Sequence, residues 1–169
     1  MEIVKILLIF TIIFAATSLG VKKAKKYENR ERILRESITF FKNLKSEIKY
    51  MLSSLPNAIE SARVNLDTGL KDVMGLIGTS ILQNKIDNNM VFENVNIIDE
   101  LTFYDKQIIA NGVSMLGSSD VEGQENIIEN TVDMLMNQYV EAKELRQKNC
   151  KLYKTVGIAA GIIIAILFV

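Results

Sequence analysis

Histidine is absent from all 169 residues of the chain. Its absence removes the commonest acid-base group and metal ligand available near neutral pH. No G-x-x-x-x-G-K phosphate cradle, G-x-S-x-G elbow or EF-hand loop is present either. Acidic neighbours such as Asp99 and Glu100 point apart on a helix and read as solvated surface. The search for a nucleophile beside a base finds none, so no catalytic, cofactor-binding or metal-binding residue is assigned and the expectation is a non-enzyme. Cys150 is the sole cysteine. It excludes an internal disulfide, suits a reducing compartment and reads as an inert helix residue. Pro56 is the only proline and glycines number nine, so long helices meet few interruptions.

What the chain does have is two apolar ends. Ile6 to Ala16 is unbroken by charge and is followed by Lys22, Lys23, Lys25 and Lys26; Arg146, Lys148, Lys151 and Lys154 lead into the uncharged run Val156 to Val169. Lysine and arginine are retained on the cytoplasmic side of a membrane, and both clusters flank the middle of the chain. The sequence therefore predicts an N-terminal transmembrane segment over 1–20, a cytoplasmic helical bundle over 21–154 and a C-terminal transmembrane segment over 155–169, with the eight basic residues at the membrane surface. A span takes about 20 apolar residues. Ile3 to Leu19 is 17 residues long, Lys5 among them, and Thr155 to Val169 is 15, a shortfall that snorkelling lysines or local bilayer thinning can meet. A cleaved signal peptide is the alternative for the first run, given Ala15, Ala16 and Ser18, but four lysines follow it where a translocated chain avoids them.

Net charge is zero, yet charge is sorted. Val21 to Tyr50 holds ten basic residues against four acidic, Met51 to Val140 four against thirteen, and Glu141 to Lys154 five against two. The basic stretches are those nearest the expected membrane, where each lysine gains about 1 kcal/mol from an anionic leaflet. The acidic middle hints at a basic docking surface. Lys45, Lys49 and Tyr50 interleave base and aromatic, but their position beside the membrane explains them better than nucleic acid does.

Apolar periodicity predicts six helices. The first runs from Glu28 to Leu52 on a stripe of Leu34, Ile38, Phe41, Leu44, Ile48 and Leu52, continued by Leu55. Pro56 opens a second through Val64. After the turn Asp67-Thr68-Gly69, a third spans Leu70 to Ile86 with Val73, Leu76, Ile77, Ile81 and Leu82 inward, and Gly75 and Gly78 allowing close approach. The fourth covers Met90 to Leu101, burying Val95, Ile98 and Leu101. Thr102 and Asp105 form a capping-box start for the fifth, which buries Ile108, Ile109, Val113 and Leu116 and stops at Gly117. Ser119 and Glu122 form a second box, after which Ile128, Val132, Leu135, Tyr139, Ala142 and Leu145 keep helical spacing into the final run. Gly157, Gly161 and Ala165 stand four apart, a small-xxx-small face for transmembrane packing, and Ala16 and Gly20 offer a weaker match.

Leu44, Glu47, Ile48, Tyr50, Leu55, Pro56 and Ala58, then Leu116, Gly117 and Asp120, then Lys154, Gly157 and Gly161, resemble in order and spacing the L-x-x-E-I-x-Y region with its proline, the L-G-x-x-D turn and the basic-to-glycine terminal segment of the stage III sporulation protein AB family. The resemblance implies a fold similar to the cytoplasmic domain of the inner-membrane platform proteins of type II secretion and type IV pilus machines, a six-helix bundle. It implies a place in the mother-cell membrane during sporulation, with the sporulation AA ATPase as partner, the channel-forming AG and AH proteins as neighbours, and no catalytic residues.

The expected protein is all-α, a six-helix cytoplasmic bundle flanked by transmembrane helices, and acts as a non-enzymatic platform subunit coupling a cytoplasmic ATPase to the channel between mother cell and forespore. Its expected partners are the membrane, that ATPase and other subunits of the complex, with no nucleic acid, small-molecule substrate or cofactor. A membrane-tethered helical sensor or scaffold with a small ligand between its helices is the alternative, distinguished by a cavity lined with convergent polar side chains.

Overall fold

Several helix boundaries are set by side chains that complete the backbone hydrogen bonds there. Thr102 Oγ1 accepts the Asp105 N–H at 3.2 Å while the Asp105 carboxylate accepts the Thr102 N–H at 2.9 Å. This reciprocal capping box opens the helix Phe103–Ser114, as the sequence predicts. The computed structural model describes the backbone of residues 2–83, 88–117 and 119–167; side chains are described from residue 10 onward except at 12, 13, 84–88, 118, 154, 160–162, 164, 165 and 167–169. Among the described residues there are six helices and no strand: α1 (Glu2–Tyr50), α2 (Leu55–Arg63), α3 (Leu70–Leu82), α4 (Asn88–Asn96), α5 (Phe103–Ser114) and α6 (Val121–Leu167).

The all-α class stands, but the flanking transmembrane helices do not appear as separate elements. The first apolar run continues without a break into the basic segment, because nothing between Leu19 and Glu28 stops a helix except the single Gly20. The final run likewise belongs to α6. Among the described residues no helix is long and apolar enough to cross a membrane; most side chains of the two apolar runs lie outside the described residues.

Contacts divide the chain into two units, one of Met1–Glu31 with Glu141–Val169, the other of Arg32–Val140. In the larger unit α2 packs on α3, α3 on α4 and α4 on α5. Its core buries Phe40, Phe41, Leu44, Ile59, Leu70, Met74, Ile77, Ile109, Ile128 and Leu135 essentially completely. Each such side chain contributes about 1.5–3 kcal/mol of burial. The part of α1 in this unit is buried more broadly than one stripe, since Ile33, Ser37 and Phe40 join Leu34, Ile38, Phe41, Leu44 and Ile48. Ser37 lies inside without cost to its hydroxyl, which donates to the Ile33 carbonyl at 2.9 Å.

Several boundaries move from their expected places. Leu52 is 76% exposed with φ +50, not the end of the apolar stripe, because α1 stops at Tyr50 and the chain reverses there. The Ser53 N–H donates to the Glu47 carbonyl and its hydroxyl to the Glu47 carboxylate, closing that reversal. In α3, Leu76 and Leu82 face outward and Met74 takes an inward position. Gly75 lies under the Arg63 guanidinium, and Gly78 against Ile59. The fourth helix ends at Asn96, where the buried Lys106 ammonium donates to the Asn96 carbonyl and side-chain oxygens at 3.0 and 2.9 Å; Ile98 and Leu101 are buried beyond it. The turn before α3 is held by Glu36, whose Oε2 accepts from the backbone of Asp67 and Thr68 and from the Thr68 hydroxyl at 2.7 Å. Asp120, not Ser119, caps α6, its Oδ1 accepting the Gly123 N–H at 2.9 Å.

Candidate membrane-surface site

The smaller unit is a pair of antiparallel helical segments, one from α1 and one from α6. Gly157 is buried and its Cα faces Gly20; a Cβ built on Gly157 would lie 3.1 Å from the Ala16 carbonyl oxygen and 3.2 Å from the Gly20 Cα. A Cβ on Gly20 would lie 2.5 Å from the Tyr153 carbonyl oxygen. The backbones therefore touch, which only glycine permits. Farther along, the Cys150 thiol donates to the Ala24 carbonyl at 3.3 Å, and the Tyr27 and Tyr153 rings stack at 5.9 Å. Next come two ion pairs, Arg146 to Glu31 at 2.7 Å and Arg30 to Glu141 at 3.7 Å. The Arg146 contact is close but off the hydrogen-bonding axis, so charge holds the buried Glu31 carboxylate. The Tyr27 phenol is pushed above the usual tyrosine value, first by its hydrogen bond with the Tyr153 hydroxyl and then by burial.

Around this seam the basic residues divide. Ala24 is buried, and Lys22, Lys23, Lys25 and Lys26 occupy the exposed directions of the same turn of α1. Lys148 and Lys151 are exposed on α6. Lys23 lies 6.0 Å above the Tyr153 ring. Arg146, part-exposed, also engages Glu31 in the seam. The side chains of Lys154, Gly161 and Ala165 lie outside the described residues. Beyond the lysines toward the termini, Phe10, Phe14, Leu19, Val21, Leu152, Val156, Ile158, Ile163 and Ile166 are exposed apolar residues.

Sequence reasoning missed Arg30, Glu31 and Tyr27. Their partners lie more than a hundred positions away, and only the facing sign of charge, Glu31 in a basic stretch and Glu141 near a second, offered a signal.

In the larger unit, Lys45 pairs with Glu129, and Lys49 with Glu125 at 2.7 Å, strapping α1 to α6. A groove of about 270 Å³ runs between α5 and α6, lined by Gln107, Asn111, Asn130 and Thr131 with Met115 and Met134. Among the described residues no group of three or more carboxylate or thiol side chains could hold a metal ion.

The family model of stage III sporulation protein AB matches residues 5–169. The chain belongs to the stage III sporulation protein AB family. The match runs through both units and all six helices. Of the blocks on which the sequence resembles the family, the Leu116-Gly117 turn has a physical reason here: Gly117 has φ +81, and a Cβ on it would lie 3.3 Å from the Leu55 side chain. No curated protein and no solved structure matches the chain.

Proposed function

We propose that this member of the AB family is a membrane-tethered, non-enzymatic platform subunit of a secretion-like sporulation complex, coupling the sporulation AA ATPase to the channel assembly from the mother-cell membrane. Family membership over 5–169 carries the reading. Two further features support it. Exposed apolar residues adjoin exposed lysines on the helix pair, the amphipathic order expected beside a bilayer. The packed apolar core of the larger unit makes a firm body for transmitting force or position. The full chain, solubilised in detergent micelles and immobilised, is expected to retain the ATPase specifically. Absence of binding under conditions where the chain keeps its helicity would overturn the coupling role.

The sensor reading rests on the α5/α6 groove, whose amide side chains converge from two helices. Tyr104, Met115 and Met134 line it and are each at least 42% exposed, so it is a surface groove. A ligand-dependent rise in melting temperature, lost in Asn111→Leu, would establish this second reading.

A further inference from the structure

The lysines near the two ends of the chain belong to one structure. Gly20 against Gly157, Ala24 against Cys150 and Tyr27 against Tyr153 bring residues 22–26 and 148–151 to one level of the helix pair. At about 100° per residue, Ala24, Gly20 and Tyr27 face the partner helix, which directs Lys22, Lys25 and Lys26 away from the seam and leaves Lys23 at its edge, 6.0 Å over the Tyr153 ring. Lys148 and Lys151 lie away from Gly157 and Cys150 on α6 by the same count. No acidic residue occurs within 22–26 or 148–151. The nearest cation of different chemistry, Arg146, is engaged by Glu31. On the terminal side of this level the exposed residues are apolar, Leu19, Val21, Leu152 and Val156 among them. The two stacked tyrosines, half-buried with polar tips, are residues suited to a membrane interface.

We propose that Lys22, Lys23, Lys25, Lys26, Lys148 and Lys151 form a single cationic ring that selects anionic phospholipids, binding their headgroup phosphates while the adjoining apolar residues meet the acyl chains. This rests on the membrane-tethered reading above and names the lipid class. The chemistry is that of flexible ammonium groups, each with three donors, which outnumber the exposed carboxylates beside them, Glu28 and Glu144. Neither end of the chain carries the whole ring. It exists only while α1 and α6 are paired.

The chain has no tryptophan, so Leu152→Trp, at a position 52% exposed beside the ring, gives a single reporter. The full chain carrying it is reconstituted in vesicles of equal phosphatidylglycerol and phosphatidylcholine, with one lipid or the other brominated to quench the reporter. The expected result is a preference for phosphatidylglycerol of about three- to five-fold at 0.1 M salt, falling toward unity at 1 M salt. Changing all six lysines to glutamine should abolish the preference, and changing them to arginine should keep it, with helicity by circular dichroism unchanged in both. Equal quenching by the two lipids, or a preference that survives the glutamine variant, would overturn the ring. Absence of quenching by either lipid would overturn the membrane-tethered reading itself, a different failure from loss of headgroup preference.

Discussion

Gly157 meets Gly20 backbone to backbone, and most of the chain lies between the two glycines in sequence. A side chain at either position must push the helices apart. Gly157→Val should therefore weaken the seam, whereas Gly69→Ala, where a Cβ meets nothing within 4 Å, should not. The seam supplies its own reporter. Ala24→Cys places a second thiol beside Cys150, and mild oxidation should join them within one chain. Non-reducing gel mobility should show efficient closure in Ala24→Cys, a clear fall when Gly157→Val is added, and none with Cys150→Ser.

Gly112 is a comparable close approach in the larger unit. A Cβ there would lie 2.6 Å from the Thr131 methyl and 3.0 Å from the Phe41 ring, and Thr131 is fixed by its bond to the Ile127 carbonyl. Gly112→Ala should destabilise by about 1–3 kcal/mol despite better helix propensity. Denaturant unfolding monitored by helicity checks this, and a gain in stability would show that α5 and α6 part freely.

Leu52 offers a change in the other direction. It is left-handed, where a Cβ is strained, and it buries almost nothing in return. Leu52→Gly should raise stability by up to about 1 kcal/mol, the relief of strain being partly offset by greater freedom in the unfolded chain. A lower denaturation midpoint would mean that the exposed leucine makes an apolar contact of value.

The straps between α1 and α6 set a pH window. The Glu129 carboxyl is held below the ordinary range by its hydrogen bond from Lys45, and the Lys49 ammonium is raised by its hydrogen bond to Glu125. A lowered carboxyl contributes stability fully above its unfolded value, about 4.3, and loses it as pH falls through the folded value; a raised ammonium contributes fully below about 10.4 and loses it as pH rises through the folded value. Both straps are exposed, so their contribution is small and salt-sensitive. The stability difference between the parent chain and Lys45→Met/Lys49→Met should be flat from about pH 5 to 10, shrink on either side, and fall with added salt. A difference that persists at pH 2 would assign it to packing of the lysine stems.

What the sequence made legible was local. The α5 capping box, the stop at Gly117 and the stripe Leu34 to Ile48 are set by neighbours within one or two turns. Phe40 was missed because the stripe assumes a helix covered on one side, while α1 is covered more widely. Leu76 and Leu82 were misplaced because α3 is apolar on nearly every face and periodicity cannot choose among them. At the site, the six exposed lysines were readable from charge alone. Arg146 was not separable from them until Glu31 was found beside it, and Glu36 showed no sign of holding a turn more than thirty residues away.

The thiol of Cys150 meets a carbonyl 126 positions earlier. A ribosome must deliver almost the entire polypeptide before that encounter can happen, whereas α2 through α5 find their neighbours as soon as each emerges. Contacts of such separation close slowly, so the leading stretch of α1 spends the whole of translation without its mate. Its apolar side chains, Phe10, Phe14 and Leu19, are then available to whatever surface the nascent chain meets first.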